Sequence, residues 1–326
     1  MGAAQEEPGR RLRPGPAAQD PEAERSARQC APALLLVRPA APSANPETRA
    51  SNAFQGQAPP DAARRARAEF EALLAALAQA DIETLVLDEP AADPLPDSVF
   101  PNNWFSTHPG GELVLYPLLS PQRRRERRPD FVQRIAAALR SREVLDWSAE
   151  ELSGRCLEGT GSLVLDHIGR NAFAALSPRT DRGLVERFCA RFGYRPVCFD
   201  AAHRGQPVYH TNVVLSVGAE LALLVRSALA DPGPVLAALA AGQRRVLELS
   251  SAQMERFAAN ALEVRTRTGT RRWVLSAGAF GCLDAGQRAA LSAAGPPVVA
   301  ELGTIEALGG GSARCMLAEL WPRALP

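Results

Sequence analysis

Short apolar runs recur along most of this chain with a longer amphipathic stretch set among every few of them, and that alternation limits the fold more than any other feature. The clearest helix is 62–79, where Phe70, Leu73, Leu74 and Leu77 stand at i, i+3, i+4 and i+7 and share one face. Further helices are predicted at about 128–141, 179–192, 232–241, 251–258, 284–294 and 313–320. Strands are predicted at 33–37, 83–87, 98–100, 113–116, 144–146, 162–166, 171–176, 196–199, 213–217, 221–225, 246–249, 261–264, 272–276 and 298–300. Three or so short strands per helix in about sixty residues describes a repeated supersecondary unit, although no repeat of residue identity accompanies it. Such units fit one α/β domain closed like a propeller better than two unrelated halves. Residues 1–29 stand apart: they are rich in Arg, Glu, Pro, Gly and Ala and poor in large apolar side chains, so they are expected to form a disordered tail ahead of a single domain at 30–326.

Composition enters through what it excludes. The chain has no lysine, so a Schiff-base lysine and a phosphate-loop lysine are both ruled out. Its net charge of +1 gives no drive toward a polyanion, and Arg123-Arg124-Arg125-Glu126-Arg127-Arg128 lacks the interleaved aromatics of a nucleic-acid site. That run reads as a solvated helix start, with a substrate-side role for one arginine left open. Six cysteines without paired spacing and four histidines without HExxH spacing argue against a zinc site and a redox dithiol. No metal or organic cofactor is expected. No apolar run is long enough to span a bilayer, and the reading is of a reducing, cytoplasmic protein without membrane or nucleic-acid partners.

Several polar stretches sit at sharp turns. Gly309-Gly310-Gly311-Ser312-Ala313-Arg314-Cys315 delivers a thiol from a glycine turn, which suits either a nucleophile or a buried structural cysteine. Phe100-Pro101-Asn102-Asn103 follows a predicted strand and is equally a plain turn. Leu157-Glu158-Gly159-Thr160-Gly161 places an acid on a glycine turn leading into a strand. In Tyr209-His210-Thr211-Asn212 the histidine and the amide alternate onto one side of an incipient strand, so both can face one pocket. Arg179 starts a predicted helix, where an ordinary surface ion pair is the plain alternative. Taken together, Cys315, His210 and Glu158 are the parts of a thiol nucleophile, a general acid/base and a charge stabiliser. His108, His167 and His203 lack comparable settings.

These residues, in this order, resemble the guanidino-group-modifying superfamily of arginine deiminases, dimethylarginine dimethylaminohydrolases and amidinotransferases. The resemblance runs from about residue 32 to 320 and is nearest to the citrulline-utilisation hydrolase branch. It implies a five-bladed, pseudo-symmetric α/β propeller, the pentein fold, built from ββαβ-like units. By the same resemblance Cys315 matches the nucleophile, His210 the general acid/base and Glu158 the pocket carboxylate. Arg179 matches a position that holds a substrate α-carboxylate, and Asn260 a strand position of structural character. Asn102, Asn103, Asn212 and Gly310 are expected around the substrate, with backbone N–H groups of 309–315 facing a developing oxyanion. Arginine-handling members carry aspartates where this chain has Asn103 and Asn212, and many carry an acid where it has Gly161. Burying a guanidinium without those acids costs several kcal/mol, whereas an amide matches both the acceptor and the donors of a neutral ureido group. The resemblance therefore implies a thiol hydrolase that takes citrulline to ornithine, ammonia and carbon dioxide through an S-carbamoyl enzyme. Deimination of arginine or methylarginine is the alternative within the class, and a non-catalytic binding propeller the alternative outside it. The partner is a small amino acid, and a homodimer is compatible with the reading.

Overall fold

A run that is apolar at every position, such as Ala33-Leu34-Leu35-Leu36-Val37, needs cover on both faces. In the computed structural model, which describes residues 28–49, 51–57 and 59–322, Ala33–Arg38 is accordingly the middle strand of a three-stranded sheet. Glu83–Asp88 pairs with it in parallel and Ala318–Leu320, from the far end of the chain, pairs antiparallel in the register Ala33 to Leu320. The helix Ala62–Gln79 crosses between the two parallel strands and buries Ala66, Phe70, Leu73 and Leu77, with Leu74, the fourth member of the predicted face, half-buried.

Four more three-stranded sheets repeat this order. They comprise Phe105–Thr107, Glu112–Leu115 and Glu143–Asp146; Val164–Asp166, Asn171–Ala175 and Arg195–Phe199; Leu215–Val217, Leu221–Leu224 and Arg245–Glu248; and Leu262–Arg265, Arg271–Ser276 and Pro297–Ala300. In each, the first strand pairs antiparallel with the second and the second in parallel with the third. A parallel pair requires a crossover, supplied by Pro129–Leu139, Arg182–Phe192, Gly233–Ala241 and Ala285–Ala294. The middle strands are largely buried, whereas Glu143–Asp146 and Arg245–Glu248 carry exposed residues. The unit is thus ββαβ, as the spacing suggested.

What positions the site is the segment just ahead of each first strand. Single helical turns at Pro101–Asn103, Gly159–Ser162, Thr211–Val213 and Ala313–Met316 lead into four of these strands, and a turn ending at Asn260 leads into the fifth. Three expectations are corrected here. Residues 98–100 are turn rather than strand; 211–213 is a helical turn, so His210 and Asn212 do not alternate along a pleat; and 313–320 is helical only to Met316, after which the chain becomes the strand that pairs with Ala33–Arg38.

The tail predicted at 1–29 lies outside the described residues except for its last two. Of these, Gln29 is buried, and its Nε2 donates to the carbonyls of Leu165 and Val217 at 3.0 and 3.1 Å. No described helix is long and apolar enough to cross a membrane.

Candidate active site

The five turns converge. Asn103, Glu158, His210, Asn212, Asn260 and Cys315 each lie on one or immediately beside it, and all are at least 97% buried. Glu158 and His210 hold the same place, the residue preceding the turn, in successive units. Backbone demands explain the glycines between them. Gly159 has φ of +48°, a conformation open chiefly to glycine, and a Cβ there would collide with the carbonyl of Asn102. A Cβ on Gly161 would overlap Asn103 Nδ2 and lie 2.7 Å from His210 Nδ1, so with those side chains in place no acid fits at that position.

His210 Nε2 lies 2.7 Å from Glu158 Oε2. Burial pushes the imidazole down to about 4, against the pull of Glu158, so the ring is neutral at pH 7. A neutral ring facing a carboxylate places its proton on Nε2, which leaves Nδ1, on the Gly161 and Asn103 side, as an open lone pair. Burial opposes the charge of Glu158, but Arg179 at 3.4 Å, the histidine hydrogen bond and Arg123 at 4.0 Å outweigh it and hold the carboxyl well below the usual carboxylate range. Leu119 N–H donates to its other oxygen at 3.0 Å.

The Cys315 thiol faces amides. Asn212 Nδ2 approaches Sγ at 3.4 Å and Asn260 Nδ2 at 3.3 Å, while Asn260 Nδ2 also donates to the carbonyl of Asn212 at 3.1 Å. Asn103 turns the other way: its Oδ1 accepts from Arg123 Nη1 at 2.7 Å. Asn103 Nδ2, Asn212 Oδ1 and Asn260 Oδ1 then have no hydrogen-bond partner among the described residues. Buried polar atoms are ordinarily paired; of these three, Asn103 Nδ2 belongs to a residue of the cavity wall, while the other two sit on the amides that touch the Cys315 sulfur.

The cavity at this point is lined by Asn103, His210 and Cys315 together with Phe100, Gly309, Gly311, Tyr209, Thr48, Asn52, Asp97, Arg123 and Arg179. Arg179 does not start a helix, since Arg182–Phe192 begins three residues later. It is buried under the Tyr209 ring with Nη2 on Ser51 Oγ at 2.6 Å, and its Nε is unpaired among the described residues. Gly310, expected to meet substrate, is committed inside the protein: its N–H donates to Glu306 at 2.8 Å and its carbonyl accepts from Tyr209 and Asn52. Cys315 N–H likewise donates to Ser312 at 3.0 Å, which removes it as an oxyanion donor. Asn102 is buried with both side-chain polar atoms unpaired, yet it is not part of the cavity wall.

Sequence reasoning missed Asp97, Asn52 and Tyr209 as cavity residues, and it left open a substrate-side role for one arginine of the 123–128 run without singling out Arg123. Arg123 is no solvated charge: it is 3% exposed, and the clue was Glu126, the one acid in the arginine run, which sits at i+3 and takes two of its hydrogen bonds at 2.8 and 2.9 Å. The other histidines are elsewhere: His108 and His167 are buried among aromatic rings, and His203 pairs with Glu255. All six cysteines are unpaired, and no cluster of metal-binding side chains occurs among the described residues.

Residues 38–322 match the sequence profile of the family described as N,N dimethylarginine dimethylhydrolase, eukaryotic. A comparison with curated proteins finds no match. Among solved structures, the N-terminal domain of ArgZ, an arginine dihydrolase of the ornithine-ammonia cycle in cyanobacteria, determined with bound substrate, superposes with a TM-score of 0.69 at 16% identity over 90% of this chain and 99% of that one. AgrE in complex with ornithine and NAD+ gives 0.70 at 16% identity over 90% of this chain and 40% of that one. A dimethylarginine dimethylaminohydrolase carrying a 4-chloro-2-hydroxymethylpyridine adduct gives 0.60 at 15% identity over 88% and 99%. This chain therefore spans about two fifths of the full-length ArgZ and AgrE chains, 41% and 40%, and nearly all of the ArgZ N-terminal domain.

Proposed function

The chain belongs to the N,N-dimethylarginine dimethylhydrolase family of eukaryotic type, and from that premise we propose that it is a hydrolase of non-peptide C–N bonds that hydrolyses the ureido group of citrulline through the Cys315 thiol. One observation carries the substrate: the amide end that Asn103 turns to the cavity is an unpaired donor, Nδ2, and two more unpaired atoms, the acceptors Asn212 Oδ1 and Asn260 Oδ1, sit on the amides that touch the thiol. A ureido group offers one carbonyl acceptor and N–H donors, and meets all three. A guanidinium has only donors and would leave Asn103 Nδ2 unanswered. Charge agrees in that Glu158 is already balanced by Arg179 and Arg123, while burial raises the carboxyl of Asp97, the other acid of the cavity wall, toward its neutral form.

In this reading the open Nδ1 of His210 takes the thiol proton, and the amides of Asn212 and Asn260 stabilise the thiolate. Sulfur attacks the ureido carbon, and the charge that develops on oxygen is met by Asn103 Nδ2. The imidazolium returns its proton to the δ-nitrogen, the C–N bond breaks and ornithine leaves an S-carbamoyl enzyme. Water, deprotonated by the same Nδ1, releases carbamate, which decomposes to ammonia and carbon dioxide. Glu158 holds the ring and favours its charged form during transfer. The five sheets are the blades of a propeller whose axis the site occupies, and residues 30–326 act as one domain. Unpaired cysteines, including the reacting one, suit a reducing cytoplasm.

The family match favours a second reading, attack on the guanidino carbon of arginine or a methylarginine. A panel of citrulline, arginine, dimethylarginine and agmatine, scored for ornithine, citrulline and ammonia, separates the two. Ornithine formed from citrulline is the expected result; turnover of a guanidino compound with citrulline untouched would overturn the proposal.

A further inference from the structure

The amide of Asn103 can in principle face the cavity with either end, and nothing on its own turn decides which. The geometry points to Arg123 as the residue that decides: we propose that Arg123, clamped by Glu126, is a positioning residue that locks Asn103 with its N–H side toward the substrate and so sets discrimination between a ureido and a guanidino group. The inference rests on the ureido reading given above.

A guanidinium has five donors and no acceptor, so whatever faces it must be an oxygen. Arg123 Nη1 lies 2.7 Å from Asn103, which makes that atom Oδ1 and turns Nδ2 away. The clamp is rigid because three of the four other N–H groups are spent: Nε and Nη2 hold the two carboxylate oxygens of Glu126 at 2.8 and 2.9 Å, and Nη2 also reaches the Phe100 carbonyl at 3.2 Å. Both side chains are almost wholly buried. A planar fork held at three points cannot swing to release Asn103 without breaking a buried ion pair. The consequence reaches beyond Asn103 itself. An aspartate at 103 would keep one oxygen on Arg123 and share that cation with Glu126, so that single change would spend its charge on the clamp rather than on an entering cation.

The test compares kcat/KM for citrulline and for arginine in four proteins: the full-length wild type, Arg123→Lys, Arg123→Gln combined with Glu126→Gln, and Asn103→Asp. Lysine still only donates, whereas glutamine both donates and accepts and leaves Asn103 free to flip. The expected result is a citrulline-to-arginine ratio within about threefold of wild type for Arg123→Lys and lowered roughly tenfold or more in the double variant, with the loss on citrulline in kcat rather than KM. Equal proportional losses on both substrates in the double variant, or identical ratios for it and Arg123→Lys, would reduce Arg123 to a structural residue and overturn the proposal. Asn103→Asp gives an answer even where the double variant does not fold: no gain on arginine supports the lock, and a tenfold gain contradicts it. A wild type that prefers arginine sinks the citrulline reading by itself, and the lock then stands or falls on whether the ratio differs between Arg123→Lys and the double variant.

Discussion

Glu158 Oε2 and His210 Nε2, on the residues that open two successive single-turn segments, meet at 2.7 Å in a site closed to solvent. Because burial holds His210 at about 4, the ring is neutral, with the lone pair the proposed base needs, at any pH well above that value. The sign is clear: protonation, which abolishes the base, comes only as pH falls through about 4. The acid limb of kcat/KM for citrulline is expected there, with no inflection near the ordinary histidine value of about 6.5. An acid limb at that ordinary value would mean an exposed or differently paired ring.

Replacing Cys315 by alanine removes the attacking atom while leaving the cavity wall intact. Turnover is expected to fall by about a thousandfold or more, with citrulline binding measured by calorimetry retained. In the wild type, rapid quench and intact-mass measurement should show a carbamoyl adduct on Cys315, and an amidino adduct formed from arginine alone would favour the guanidino reading.

Asn260 places an amide N–H 3.3 Å from the sulfur. Asn260→Asp substitutes a negative charge of nearly the same shape, which disfavours a thiolate at that distance. Alkylation of Cys315 by iodoacetamide should slow by roughly tenfold or more, and the Tm should fall, because a buried carboxylate also replaces the amide donor to the Asn212 carbonyl. Unchanged alkylation would show that the amide does not reach the sulfur in solution.

Gly161→Ala tests how closely the site is packed. The added methyl would overlap Asn103 Nδ2 and press on His210 Nδ1, and neither side chain can retreat easily because Arg123 and Glu158 hold them. Activity should drop by about a hundredfold, for a stability cost of roughly 1–3 kcal/mol read by urea unfolding. Near-normal turnover would show that the two side chains are freer than their hydrogen bonds imply.

Much of this was legible before any coordinates, for identifiable reasons. Phe70, Leu73 and Leu77 announced a helix because periodicity survives whatever lies across from it, and Cys315, His210 and Glu158 each stood on glycine or turn chemistry that the sequence states openly. Single helical turns escaped notice, since three or four residues carry no period, and so His210 reaches the cavity and Asn212 the Cys315 sulfur by a turn rather than by strand alternation. Arg123 was hidden for a different reason: five arginines in six positions look alike in composition, and only the turn starting at Ser120-Pro121 sends one of them inward. Residues 318–320 read as helix because their role is set by a partner near the other end of the chain.

That pairing also orders events in time. Cys315 stands three residues before Ala318–Leu320, whose register runs from Ala33 to Leu320, so the sulfur is held in place only once the two ends of the domain have met. Contacts so distant along the chain are the slowest to form. Cys315 is also the last of the cavity residues along the chain, and the strand that follows it ties the end of the described residues back to their beginning.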